Sequence, residues 1–281
     1  MSASSTRVAR VRTAERPGSP DRPTEDRIFL APSAVVVLDG ASEPMPVKHD
    51  GGWLAEELGT ALCTALSASP DVDLTDLLAD AISTTARMHQ LTPGACPSTT
   101  VSIARWYDDS LDILILGDSP IVVATHDLRV SHLRDDRLAS VAVEERRVFR
   151  EHRSGQFGIE RSKEWQTLVA AQRRARNRPH GYWIAEADPS AARHALRRRW
   201  DVSKLSALMV MTDGVGNGVD RYGVPGDWHD AIKIARRRPA DLINAVHAAE
   251  SADKDGARWP RSKRHDDKAL AVVEFAVEGQ S

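Results

Sequence analysis

The sequence predicts an α+β fold in which antiparallel sheets are layered against helices. Three observations carry this expectation. Short β-branched apolar runs, such as Ala34-Val35-Val36-Val37-Leu38 and Ala207-Leu208-Met209-Val210-Met211, read as buried strands. Segments with apolar residues at helical spacing separate groups of such strands. There is no regular strand and helix alternation of the kind that builds a doubly wound parallel sheet.

In chain order, residues 1–23 are rich in Ser, Arg, Pro and Gly, and Arg16-Pro17-Gly18-Ser19-Pro20 has the chemistry of a turn. This stretch is expected to be a flexible N-terminal arm, with order beginning near Thr24 and one domain running over 24–281. Ile28 to Leu38 reads as strand, broken at Ala31-Pro32-Ser33 and ending in Asp39-Gly40. Gly52 to Ser67 and Leu74 to Met88 read as amphipathic helices, the second with Asp73 as N-cap. Ser98 to Trp106, Leu111 to Leu116 and Ile121 to Ala124 read as an antiparallel meander whose turns are Tyr107 to Ser110 and Gly117 to Pro120. Ala139 to Arg199 reads as helical pieces broken at Ser154-Gly155, Pro179 to Gly181 and Asp188-Pro189. A strand over 207–211, a helix from Pro239 to Ala249 and a last strand from Ala269 to Val277 complete the chain.

Composition narrows the function classes. The chain has 281 residues, 41 % hydrophobic and 28 % charged, with 17 Gly and 15 Pro, which excludes a wholly disordered or fibrous polymer. No apolar run approaches the ~18 residues of a membrane span, and the start carries no hydrophobic stretch. With only Cys63 and Cys96, in neither a disulfide nor a zinc pattern, a reducing cytoplasm is the expected compartment. The formal net charge is −2, but residues 134–200 hold sixteen basic against nine acidic residues. Without an aromatic stacking motif or a basic chain as a whole, nucleic acid is not an expected partner, and neither is a membrane.

The recurrent chemical feature is acidic residues at the ends of apolar strands: Glu25-Asp26, Asp39, Asp118, Asp213 and Asp266-Asp267. Each alone is a common turn residue. If the strands form one sandwich, these carboxylates converge at one edge, where they need cations to neutralise them. Oxygen ligands without His or Cys suit Mg²⁺ or Mn²⁺.

The segments Thr24-Glu25-Asp26-Arg27, Val36 to Gly40, Pro97 to Val101, Ile115 to Ser119, Leu208 to Gly214 and Asp266 to Val273 resemble, in order and spacing, the metal-dependent Ser/Thr protein phosphatases of the 2C class. The resemblance implies a four-layer αββα sandwich of two antiparallel sheets flanked by helical pairs. It implies two Mn²⁺ or Mg²⁺ ions: Asp39 bridges both and is the catalytic centre, Gly40 offers its carbonyl, Asp213 and Asp266 hold the first ion, and Glu25 reaches the second. Asp118 matches the position of a third, weaker ion. It also implies hydrolysis of phosphoserine or phosphothreonine in proteins by a hydroxide bridging the ions, with a Ser/Thr kinase system as the source of substrate.

Several positions depart from the family pattern. Asn217 stands where an Asp is usual, which puts the third ion in question. The usual phosphate-gripping arginine is absent, leaving Arg22, one position off, as the substrate-binding candidate. Ala41-Ser42-Glu43 replaces a Gly-rich run, and Pro120 follows Gly117-Asp118-Ser119 in place of Arg. The family's variable flap corresponds to the Arg-rich region at about 134–200, either a solvated face or a device that steers acidic phosphorylated segments. The alternative readings are a phosphatase-like regulatory binding module without turnover, and a hydrolase of small phosphate esters.

Overall fold

The apolar runs pair into two sheets in a computed structural model that describes residues 9–41, 48–107, 109–152, 157 and 162–275. The strands are β1 (Ala9–Arg16), β2 (Asp26–Ala31), β3 (Ala34–Asp39), β4 (Val101–Tyr107), β5 (Ser110–Leu116), β6 (Ile121–Thr125), β7 (Val130–Leu133), β8 (Leu196–Asp201), β9 (Leu205–Met211) and β10 (Lys268–Phe275). The helices are α1 (Gly51–Ala68), α2 (Leu74–His89), α3 (Val143–His152), α4 (Lys163–Ala175), α5 (Asp213–Asp220), α6 (Trp228–Arg237) and α7 (Pro239–Ala252). One sheet has the order β1-β10-β9-β6-β7 and the other β2-β3-β4-β5-β8, and the strand pairs are antiparallel throughout.

Alternation along the strands sorts the core into layers. In β3, Val35 and Val37 pack between the sheets with Ile113, Val123, Leu208 and Ala271, whereas Val36 and Leu38 face Leu58, Leu62 and Leu78 of α1 and α2. In β9 and β10, Leu208, Val210 and Val273 point inward, and Met209, Leu270 and Val272 face Leu242 and Val246 of α7. Strands covered on both faces read as unbroken apolar runs, which is why these were the clearest in the sequence. The result is the four-layer αββα sandwich. Asp73 caps α2 as expected, its side chain accepting from the Thr75 amide.

Three expectations are corrected. The proposed arm is ordered from Ala9: β1 pairs along its whole length with β10, and Arg12 bonds Glu274. This edge strand offers Val11 to the core and charges to solvent, a pattern that blunts an edge and hides its strand character. The meander breaks after β5, because β6 belongs to the other sheet. Gly117, at φ +95°, begins a crossing link in which the Ser119 hydroxyl bonds Thr100 at 2.7 Å and Ser102 donates to the Ser119 carbonyl. Lastly, residues 196–201 are strand and not helix, because β5 supplies a backbone partner that Arg197-Arg198-Arg199 does not advertise. The Ser154-Gly155 break, and Ser42 and Glu43 of the altered rim, lie outside the described residues. Among the described residues, no helix is long and apolar enough to cross a membrane.

Candidate metal centre

The acidic strand ends meet at one end of the sandwich. Asp39 closes β3 directly opposite Asp26, the first residue of β2. Asp213 opens α5 immediately after β9, Asp266 and Asp267 precede β10, and Asp118 lies on the link that crosses between sheets. Hydroxyls fasten this mouth. Thr212 donates to the Asp26 carboxylate at 2.7 Å and accepts from the Ala269 amide at 3.0 Å, joining the two sheets. Thr100 accepts from the Asp39 amide at 3.1 Å. Asp267 accepts from the amides of Gly18 (2.7 Å) and Glu25 (2.9 Å), holding the loop between β1 and β2 against the cluster. Gly40 donates to the Glu25 carbonyl at 3.2 Å, and a Cβ on Gly40 would lie 2.4 Å from the Gly51 backbone. Only glycine allows α1 to start so close to the end of β3.

The electrostatics are those of crowded anions. Burial, then the charges of Asp26, Asp213, Asp266 and Asp118, push the Asp39 carboxyl well above the usual carboxylate range. Burial also raises Asp26 well above that range, with Asp267, Asp266 and Asp213 adding to the rise and Thr212 opposing it. Asp213 is pushed up to about 7 by burial and by Asp266 and Asp118, with Arg134 and Asn217 opposing. Asp118 is raised by burial, partly offset by Arg134. Asp266 differs: burial would raise it, but Lys263 and Lys268 more than offset this and hold it below its ordinary value.

Two basic side chains reach into the cluster from loops. The Lys263 ammonium stands 3.3 Å from Asp266 Oδ1, and Asp266, Glu25, Asp267 and Asp39 together raise its pKa against the opposing effect of burial. The Arg134 guanidinium lies 3.9 Å from Asp118 and 3.5 Å from Asp220, and donates to Asn217 Oδ1 at 3.3 Å. Neither was legible in the sequence, since a single base in a loop has no periodicity or motif. Asp26 and Thr212 were visible only as neighbours of the named carboxylates.

The other candidates separate cleanly. Arg22 is exposed on the loop between β1 and β2 and pairs with no carboxylate among the described residues. His265 is engaged elsewhere, bonding Glu250 at 3.1 Å and stacking on His247, and burial holds both imidazoles down at about 4. Lys268, wholly buried, bridges Glu250 (2.7 Å) and the Asp266 carbonyl (2.9 Å), which braces the backbone that presents Asp266. The Cys96 thiol is pushed up to about 11 by burial and Glu186, so it stays protonated and is no nucleophile at neutral pH.

The family model described as protein phosphatase 2C matches residues 23–244. The chain belongs to the protein phosphatase 2C family. Solved structures of similar fold include the PPM Ser-Thr phosphatase MsPP from Mycobacterium smegmatis in complex with cacodylate, at 16 % identity and TM-score 0.57, covering 95 % of this chain and 98 % of that one. Stp1 from Staphylococcus aureus shares 13 % identity at TM-score 0.58, with 96 % of each chain covered. The catalytic domain of PstP, solved with 2 manganese ions, shares 15 % identity at TM-score 0.52, covering 96 % and 100 %. At these identities the likeness speaks for the fold. No curated protein matches the sequence significantly. As a protein phosphatase 2C chain, it has a donor set whose chemistry suits hard divalent cations: clustered carboxylates without sulfur or imidazole, whose repulsion a cation relieves.

Proposed function

We propose that the protein hydrolyses phosphoserine or phosphothreonine in protein substrates supplied by a Ser/Thr kinase, using two Mn²⁺ or Mg²⁺ ions. The observation that carries this reading is Asp39, a recessed carboxylate whose charge four other acids oppose and to which no Arg or Lys is bonded among the described residues. Asp39, the Gly40 carbonyl, Asp213, Asp266 and Glu25 are the groups that would hold the ions. Bound there, divalent cations supply Lewis acidity towards water and phosphoryl oxygens. The chain contributes rigidity, through Thr100, Thr212 and Asp267, so that the carboxylates are positioned before substrate arrives.

Substrate anions have their own attractants. Burial and then the charges of Arg150 and Arg221 lower the pKa of Arg146 in α3, burial and then Arg221 (after α5) lower that of Arg150, and Arg146 also acts on Asp118. Like charges that repel at a cleft rim favour an incoming phosphate or acidic side chain. With Arg22, they replace the single arginine that the family pattern lacks here. Many other arginines of the basic region are spent internally, on Glu144 and Glu151 (Arg147), Glu186 (Arg176) and Asp73 (Arg197).

One observation favours a second reading, a binding module without turnover: Lys263 already places a positive charge beside Asp266. Hydrolysis of a phosphothreonine peptide with and without Mn²⁺, for the wild type and Asp39→Asn, separates the two. Metal-dependent turnover abolished by the substitution is the expected result. A folded wild type inert with Mn²⁺ and with Mg²⁺ overturns the enzyme reading.

A further inference from the structure

The position expected for a third ion does not fit one. Its three oxygen-bearing side chains are Asp118, Asp213 and Asn217, and a guanidinium lies among them. Arg134 comes within 3.9 Å of Asp118 and donates to Asn217 Oδ1 at 3.3 Å. Asn217 Nδ2 in turn donates to Asp213 Oδ2 at 3.1 Å. Asp220, 3.5 Å from Arg134 Nη1, and Asp136, 3.6 Å from its Nε, complete the anionic surround. Resting on the two-ion reading above, we propose that Arg134 is the built-in cation of this position, so that the protein binds two divalent ions and takes no third.

The identity of residue 217 follows from this chain of contacts. A side chain between a guanidinium and a carboxylate must accept on one side and donate on the other, and an amide does both. Only one amide orientation satisfies both neighbours, Oδ1 towards Arg134 and Nδ2 towards Asp213. An aspartate there could not donate to Asp213 and would add a fifth carboxylate, after Asp118, Asp213, Asp220 and Asp136, to the group around one guanidinium. The Asp-to-Asn departure and the arriving arginine therefore act as one exchange, a fixed monovalent charge in place of an exchangeable dication. A guanidinium on a strand-to-loop junction, 18 % exposed, does not dissociate or depend on the metal supply.

The test is the stoichiometry of Mn²⁺ binding, by calorimetry and equilibrium dialysis on the full chain, for the wild type, Asn217→Asp and the double variant Arg134→Gln/Asn217→Asp. Circular dichroism verifies folding. Expected are two ions for the wild type and for Asn217→Asp, whose Arg134 still fills the position, and three for the double variant, with a melting temperature that keeps rising with Mn²⁺ after the wild type has saturated. Three ions in the wild type or in Asn217→Asp overturn the inference, as does a folded double variant that stops at two. If the double variant does not fold, the first two proteins decide alone. No binding by any of them overturns the two-ion reading itself, and the inference with it.

Discussion

Two carboxylates on the same sheet have opposite surroundings. Asp112 lies in the middle of β5 with Arg105 of β4 directly opposite on one side and Arg199 of β8 on the other, bonded at 3.0 and 2.5 Å. Asp39, at the end of β3, faces another carboxylate, Asp26. Opposite charges across strands stabilise a sheet and like charges destabilise it. The two arginines more than offset the burial of Asp112 and hold its pKa below the ordinary carboxylate value, whereas burial and four neighbouring acids drive that of Asp39 up. One sheet thus neutralises a buried charge with its own residues where only folding is at stake, and at its open end sets Asp39 against another carboxylate.

The sharpest way to break this contrast is to neutralise each residue in turn. Asp39→Asn is expected to reduce metal-dependent turnover by at least about 100-fold, the upper cost of losing even an outer-shell partner of a metal. In chelator-treated protein the same change relieves repulsion, so the melting temperature should stay level or rise; a drop of several degrees would make Asp39 an ordinary structural residue. Asp112→Asn should do the reverse. It strands the 5 %-exposed Arg105 side chain, and loss of one partner of a buried pair predicts destabilisation of about 3 kcal/mol, with turnover per folded molecule unchanged. The sign with pH follows from the depressed folded-state pKa. The contribution of Asp112 is complete above the unfolded value near 4 and is lost as pH falls through the folded value, so denaturant midpoints of wild type and variant should converge in acid.

The same contrast explains what the sequence revealed. Val35 to Leu38 and Leu208 to Met211 were legible because burial on both faces leaves no polar alternation, and the Asp-Gly pairs after them marked the ends that meet in the cleft. β1 and β8 were illegible because edge strands carry their arginines outward and depend on a partner distant in sequence. The crossing of β6 to the other sheet was hidden for a related reason: Gly117 to Pro120 has turn chemistry whether the next strand returns or leaves. Family resemblance supplied candidate ligands, but not the residues that hold or neutralise them. Lys263, Arg134 and Thr212 act through contacts between loops and strand ends, which no local pattern encodes.

Lys263 sharpens the comparison further, because it gives the open end a partial internal cation. If its ammonium competes with a divalent ion for Asp266, Lys263→Met should tighten Mn²⁺ binding by on the order of 10-fold, equivalent to about 1.4 kcal/mol. If it instead completes the cleft by contacting substrate, Mn²⁺ affinity will be unchanged and KM for a phosphopeptide will rise. Calorimetric titration of wild type and variant, followed by steady-state kinetics, distinguishes these outcomes.

The smallest expected effect concerns the arginines at the rim. Arg105 and Arg199 are committed to Asp112, so salt should change little there, whereas Arg146, Arg150 and Arg221 repel one another, with Asp118 within reach of Arg146. Their attraction for a distant acidic segment is screened over about 8 Å at physiological ionic strength. Raising salt should therefore increase KM for an acidic phosphopeptide by a few fold, roughly the scale of one exposed charge pair, and affect a small aryl phosphate less. Arg150→Gln should flatten the peptide's salt dependence while leaving that of the aryl phosphate in place. Equal salt responses of the two substrates in the wild type would show that the rim arginines serve only the fold, as Arg147 does in bonding Glu144 and Glu151 of its own helix.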